Sequence, residues 1–300
     1  RPGGLSEAGA RPAGMVGMVS TSEQRGDAVT SPFHRPPSVP FELGRTRRVT
    51  WRLHPALSDV LTTLDGTSFG KACTDRGAEI STAGVFADPV DQSGALTAHR
   101  WVLERADGEG LPLTAAGYLK PADVKALAAL MPVMSDWIFP VSREVDAHPV
   151  LDFREHLKLV GLLRKYKGTL RLTKAGRAVL VDTPELWRYL ANALIPPEHG
   201  FAADASVVIL LDAATAEGEI DIDAIARTVT ALGWSHRDGS PVSRSEIHGV
   251  WNGLWNVIGN IGERADGHRS ERKVSAAARM LIHNALFEEV GATGQARAPR

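Results

Sequence analysis

Cysteine is almost absent: Cys73 is the single one in 300 residues. That excludes an intramolecular disulfide and a thiolate-rich metal centre, and it removes any covalent sign of export, so a reducing cytoplasm is the expected setting. Net charge is lacking too. The 34 Lys and Arg nearly cancel the 35 Asp and Glu, which leaves −1 and no global pull toward nucleic acid or anionic lipid. No apolar run approaches the ~18 residues of a membrane span, and the longest, Ser206 to Ala216, reads as a buried helix. The ten histidines, His148, His156, His236, His248, His268 and His283 among them, show no His-x-x-x-His or His-Glu spacing. No Gly-rich loop ends in Lys-Ser or Lys-Thr to cradle a phosphate. No metal or cofactor is therefore expected.

One catalytic motif is formally present. Gly66-Thr67-Ser68-Phe69-Gly70 fits G-x-S-x-G, the elbow that holds a nucleophilic serine on a strained strand-to-helix turn. A helical pattern precedes it instead of a buried strand, and no α/β alternation follows, so the chain is expected not to be an enzyme. Ser68 is the one residue through which a hydrolase reading survives.

The richest stretch is Pro149 to Val181, PVLDFREHLKLVGLLRKYKGTLRLTKAGRAVLV. Val150, Phe153, Leu157 and Val160 recur on one helical face, with Pro149 suited to a first helical position. The pattern breaks at Gly161. Two β-prone runs follow with Lys167-Gly168 as their turn, and Thr173 is placed to cap the next helix. Helix, basic hairpin, helix is the order of a winged helix. Over residues 154–177, Arg154, Lys158, Arg164, Lys165, Lys167, Arg171, Lys174 and Arg177 stand against Glu155 alone, a local net of about +7 of the kind a phosphate-binding surface carries. Basic hairpins also serve as solvated edges that resist pairing with other chains. An acidic block follows directly: residues 181–226 hold Asp182, Glu185, Glu198, Asp204, Asp212, Glu217, Glu219, Asp221 and Asp223 against Arg188. Pairing of the two blocks within the chain would mask the basic surface. Asp221 and Asp223 are themselves placed as helix-start carboxylates.

Along the chain, residues 1–48 are rich in Gly, Pro, Ser and Arg and read as a disordered arm. Residues 49–98 form an N-terminal segment, helical from Trp51 to Leu64 and weakly patterned after Gly66. A strand-then-helix phrase recurs as LPLTAAGYL from Leu111, LRLTKAGRAVL from Leu170 and RKVSAAARMLI from Arg272. It suggests two tandem winged-helix-like units, 99–195 and a degenerate 200–290, separated by Ile195-Pro196-Pro197 and followed by a flexible tail, 291–300. In the second unit Ile247, Trp251, Leu254, Trp255, Ile258 and Ile261 form a wide apolar stripe. Trp251 and Trp255 thus read as packing or interface residues, the latter through a homodimer. Asn252, Asn256 and Asn260 recur beside the stripe, and read as polar neighbours more readily than as base-reading groups. The chain opens on Arg1 rather than Met, as a fragment or processed product does.

At LTAAGYLKPADV, Leu113 to Val124, and HPVLDFREHLKLVGLLRKYKGTLRLTKAGR, His148 to Arg177, the chain resembles a family of uncharacterised actinobacterial plasmid open-reading-frame or insertion-element passenger proteins. The resemblance covers about residues 110–290 and includes Leu232-Gly233-Trp234; Ala278 departs from it, standing where a glycine is expected. It implies a helical, winged-helix-like region in proteins carried near mobile elements, with no set activity. The combined expectation is a mainly α, tandem winged-helix-like, cytoplasmic protein that binds double-stranded DNA through the first wing and does not contact a membrane. The rival is an interaction or self-association scaffold without nucleic acid.

Overall fold

Helix-start and helix-stop chemistry accounts for most of the architecture. The computed structural model describes residues 19–20, 50–86, 90–263 and 272–290, and among them the fold is mainly helical, with a few short strands. Strand β1 (Val19–Ser20) pairs antiparallel with residues 234–235, so this small part of the expected arm is paired; the rest of residues 1–48, and the tail 291–300, lie outside the described residues. Strand β2 (Thr50–Leu53) corrects the helical reading of that stretch. It pairs with residues 287–290 more than two hundred positions away, and Arg52 faces Glu288 at 3.3 Å. Long-range pairing of this sort overrides local periodicity. Helix α1 (Pro55–Thr63) follows, then α2 (Ser68–Phe86) and the short α3 (Gln92–Ala95). The weakly patterned stretch after Gly66 is thus mostly helix.

The first unit continues with α4 (Thr97–Ala106), β3 (Leu111–Pro112) and α5 (Pro121–Leu130). A long connection, 131–147, contains two single-turn 3-10 segments before α6 (His148–Leu159). The hairpin is β4 (Leu163–Tyr166) and β5 (Thr169–Leu172), and β3 adds to it in the antiparallel order β3-β5-β4. Val150, Phe153 and Leu157 are buried on α6 as their spacing requires. Then α7 (Lys174–Leu180) starts on Thr173, whose hydroxyl accepts the Gly176 N–H at 3.0 Å and donates to Gly161 O. The helix α8 (Thr183–Asn192) closes the unit. The phrase at Leu111 to Leu119 is no strand-then-helix: Thr114 hydrogen-bonds Tyr118 through both backbone and hydroxyl, and Gly117 at φ +87° folds the segment back on itself.

The second unit is built on α9 (Phe201–Thr215). It is apolar nearly all round and almost wholly buried, against α1, α2 and the helices α10 (Ile222–Ala231), α11 (Arg244–Ile258) and α12 (Ala276–Leu286). Strand β6 (Trp234–Ser235) lies between α10 and α11, and β7 (Phe287–Val290) ends the described chain. Asp221 caps α10 through the Ala224 N–H at 2.9 Å, and Ser243 with Glu246 forms a capping box on α11. The turn expected for a second wing falls on residues 264–271, outside those described, and residues 259–263 and 272–275 on either side form no strand. What the two units demonstrably share is a junction. Ser275 caps α12 through Ala278 N–H and donates to Ile261 O, as Thr173 does at α7. A Cβ on Gly176 would overlap the carbonyl of Leu162, whereas the corresponding Ala278 is simply buried.

The two units share one continuous core across the Ile195-Pro196-Pro197 pause. Tyr189 donates to Val160 O at 2.6 Å, Trp187 Nε1 donates to Asn284 at 3.0 Å, and α6 packs on α11. Among the described residues no helix is long and apolar enough to cross a membrane.

Candidate nucleic-acid interface

A two-residue hairpin turn of type I′ needs both of its residues at positive φ, and Lys167 (φ +46°) and Gly168 (φ +73°) supply it. Lysine is an unusual occupant of this conformation, which asparagine and glycine favour. Register then sorts the side chains. Leu163 pairs with Leu172 and Lys165 with Leu170, whereas Arg164 lies directly opposite Arg171 and Tyr166 opposite Thr169. The second set shares the face turned away from the core.

On that face Tyr166 is 41% exposed, and three cations surround its ring: Arg164 and Lys167 at 5.3 Å and Arg171 at 5.7 Å from the centroid. Each cation gains from the ring's negative face, but two arginines directly across a ladder repel each other. Arg164, Lys165 and Lys167 are exposed and, among the described residues, make no ion pair. Arg171 is half-buried, with Nε 3.1 Å from Thr169 Oγ1. Lys174 is exposed on the first turn of α7, and Arg177 sits 3.5 Å from Asp107. Tyr166 was not singled out from sequence, although strand alternation alone places it beside Arg164.

Two of the expected contacts on α6 require correction. Arg154 is buried, not solvent-facing. Its Nε donates to Glu144 Oε1 at 2.7 Å, it reaches Glu155 at 3.0 Å, and Glu144 Oε2 accepts the Leu119 N–H at 2.6 Å. Burial still pushes the Glu144 carboxyl up, against the pull of that backbone donor and of Arg154. Lys158 is tied to Glu155 at 2.6 Å. The exposed stripe of α6 consists of His148, Asp152, Glu155 and Leu159, and its neighbour is α11, so it offers carboxylates where a groove-reading helix carries donors. The acidic block does not mask the wing: Asp212 pairs with Arg76, Asp223 with Arg244, Glu185 with Arg188, and Asp204 accepts from Trp234.

These elements have relatives. Residues 91–185 match the family described as the Y4jL N-terminal domain. The Y4jL match begins at α3 and ends within α8, so it takes in the three-stranded sheet and its hairpin and stops short of the second unit. The family is uncharacterised and named after a plasmid open reading frame, which supports the earlier resemblance over its first part and not beyond residue 185. No curated protein and no solved structure matches the chain.

Elsewhere, Ser68 is exposed on the first turn of α2, behind a turn capped by Thr67. Among the described residues no three His, Cys, Asp or Glu side chains gather as a metal site. Trp251 is 3% exposed and its ring lies 5.2 Å from that of Trp255, which is only half-buried. The Trp251 side of the stripe is packed within the chain.

Proposed function

We propose that residues 97–172 of the Y4jL-like segment are a winged-helix unit whose wing grips the phosphate backbone of double-stranded DNA, without a catalytic step. The observation that carries this reading is the cluster around Tyr166 of exposed Arg164 and Lys167 with half-buried Arg171, none of them with a carboxylate partner among the described residues. Cations held together in this way repel until an external anion joins them, and closely spaced phosphates are such an anion. The order helix, strand, helix, helix, hairpin and the sheet order β3-β5-β4 are those of a winged helix. With α6 presenting Asp152 and Glu155, binding runs through the backbone and hardly depends on base sequence. An association with mobile elements rests on the naming of the family.

The test is anisotropy on labelled duplexes across a salt series. Each lost phosphate contact lowers the slope of log K against log salt by about 0.9, so Arg164→Glu with Lys167→Glu flattens it by about two units. Lys158→Ala, already paired in the chain, leaves it nearly unchanged. Undetectable wild-type binding at low salt refutes the DNA reading. The scaffold reading would then lead, favoured by Ile138 and Phe139, which stand 74% and 61% exposed on the 131–147 connection.

A further inference from the structure

Between the two units lies a cleft of about 570 Å³, well within the size of small-molecule sites. It is separate from the wing. Its lining includes Asn252, Trp255 and Asn256 of α11, Asn260 just beyond that helix, and Asp152 of α6. Arg272 also lines it. Its guanidinium lies over the Trp255 ring, 5.7 Å from the centroid, and donates to Asn252 Oδ1 at 2.9 Å, so its outer face is turned away from the indole. Bases stack on both kinds of plane.

The hydrogen-bonding groups of this cleft are incompletely used. Asn260 is 2% exposed, and its Nδ2 donates to Asn256 O at 3.0 Å while its Oδ1 has no partner. The Asn256 amide, half-buried in the wall, makes no hydrogen bond among the described residues. Asp152, exposed on α6, lines the same space, and partial desolvation there raises its carboxyl against the lowering effect of His148. A free amide offers one donor and one acceptor side by side, the pattern that pairs with the amino group and ring nitrogen of adenine. A carboxylate accepts from exocyclic amino groups. We propose that this cleft binds a purine base, stacked on the Arg272 guanidinium that lies over Trp255 and read by Asn256 and Asp152. The base is either a free nucleoside or an unpaired residue of a strand. The occupant touches both α6 and α11 and so bridges the units.

Tryptophan fluorescence and thermal melting with adenosine, guanosine, cytidine and a short single-stranded dA oligomer test this on the full chain. A purine nucleoside should quench the emission and raise the melting temperature, because a ligand that binds only the folded state stabilises it. Asn256→Ala and Asp152→Asn, neither of which removes a contact within the fold, should each weaken binding by about tenfold. Arg164→Glu with Lys167→Glu should leave it intact, which separates this site from the wing. Response to the oligomer alone, still lost in Asn256→Ala, supports the site and assigns the base to a strand. Absence of any purine response at millimolar concentration overturns the proposal. So does binding indifferent to both variants, or cytidine binding as well as adenosine.

Discussion

Arg154→Ala is the perturbation that most directly separates a buried ion pair from a DNA-contacting arginine. The Arg154 and Glu144 side chains are 4% and 0% exposed, so water cannot replace what the substitution removes. Glu144 would keep one donor, the Leu119 N–H at 2.6 Å, and lose the cation 2.7 Å from its other oxygen. Breaking such a pair from one side costs about 3–5 kcal/mol, because a buried charge is left uncompensated. Glu144 can escape by protonating. Its folded pKa is already raised above the unfolded value of about 4.5, and losing Arg154, which lowers it, should raise it further, so its stabilising contribution is complete below 4.5 and is lost as pH rises through the folded pKa. The deficit should therefore be larger at pH 8 than at pH 5. Adding Glu144→Gln, which keeps an acceptor for Leu119 and removes the charge, should recover about 1–3 kcal/mol at pH 8. Urea titrations followed by circular dichroism at both pH values read these differences as midpoint shifts at constant m. A deficit under about 1 kcal/mol, equal at both pH values, is what an exposed pair would give and would refute the reasoning.

Acid stability should depend on His99, which is wholly buried edge-on to Phe153 at 4.8 Å, with neither ring nitrogen hydrogen-bonded. Burial, with a smaller push from His156, lowers its pKa to about 3. Its contribution is thus complete above pH 6.5 and falls by about 1.4 kcal/mol per unit as pH drops toward 3, on the order of 4–5 kcal/mol in all. His99→Leu should flatten the urea midpoints between pH 6 and 3.5, and an unchanged slope would contradict this. Trp251→Ala should cost about 3–5 kcal/mol in a thermal or urea melt, Trp255→Ala clearly less, and Asn256→Ala within about 0.5 kcal/mol. Equal losses at both tryptophans would show that the stripe is not divided between core and cleft as described.

Local chemistry was legible from the residues alone. Thr173 as a cap, Lys167-Gly168 as a two-residue turn, the buried face of α6 and the buried α9 each follow from interactions among residues a few positions apart. The mainly helical class followed from the same signals. The fate of the charged side chains did not. A basic residue on a helix reads as solvated until its partner is known, and the partners of Arg154 come from residue 144 and the 117–119 loop, brought together by the 131–147 connection. Likewise the ring of cations at Tyr166 depends on strand register, which no single strand encodes. The pairing of β2 with β7 and the packing of α6 against α11 join segments roughly a hundred or more residues apart. Sequence periodicity sets which face of an element is apolar, because that depends on neighbours within a turn or two. Which other face it meets, and hence whether a charge is exposed on a wing or buried in a pair, is a property of the whole packed chain.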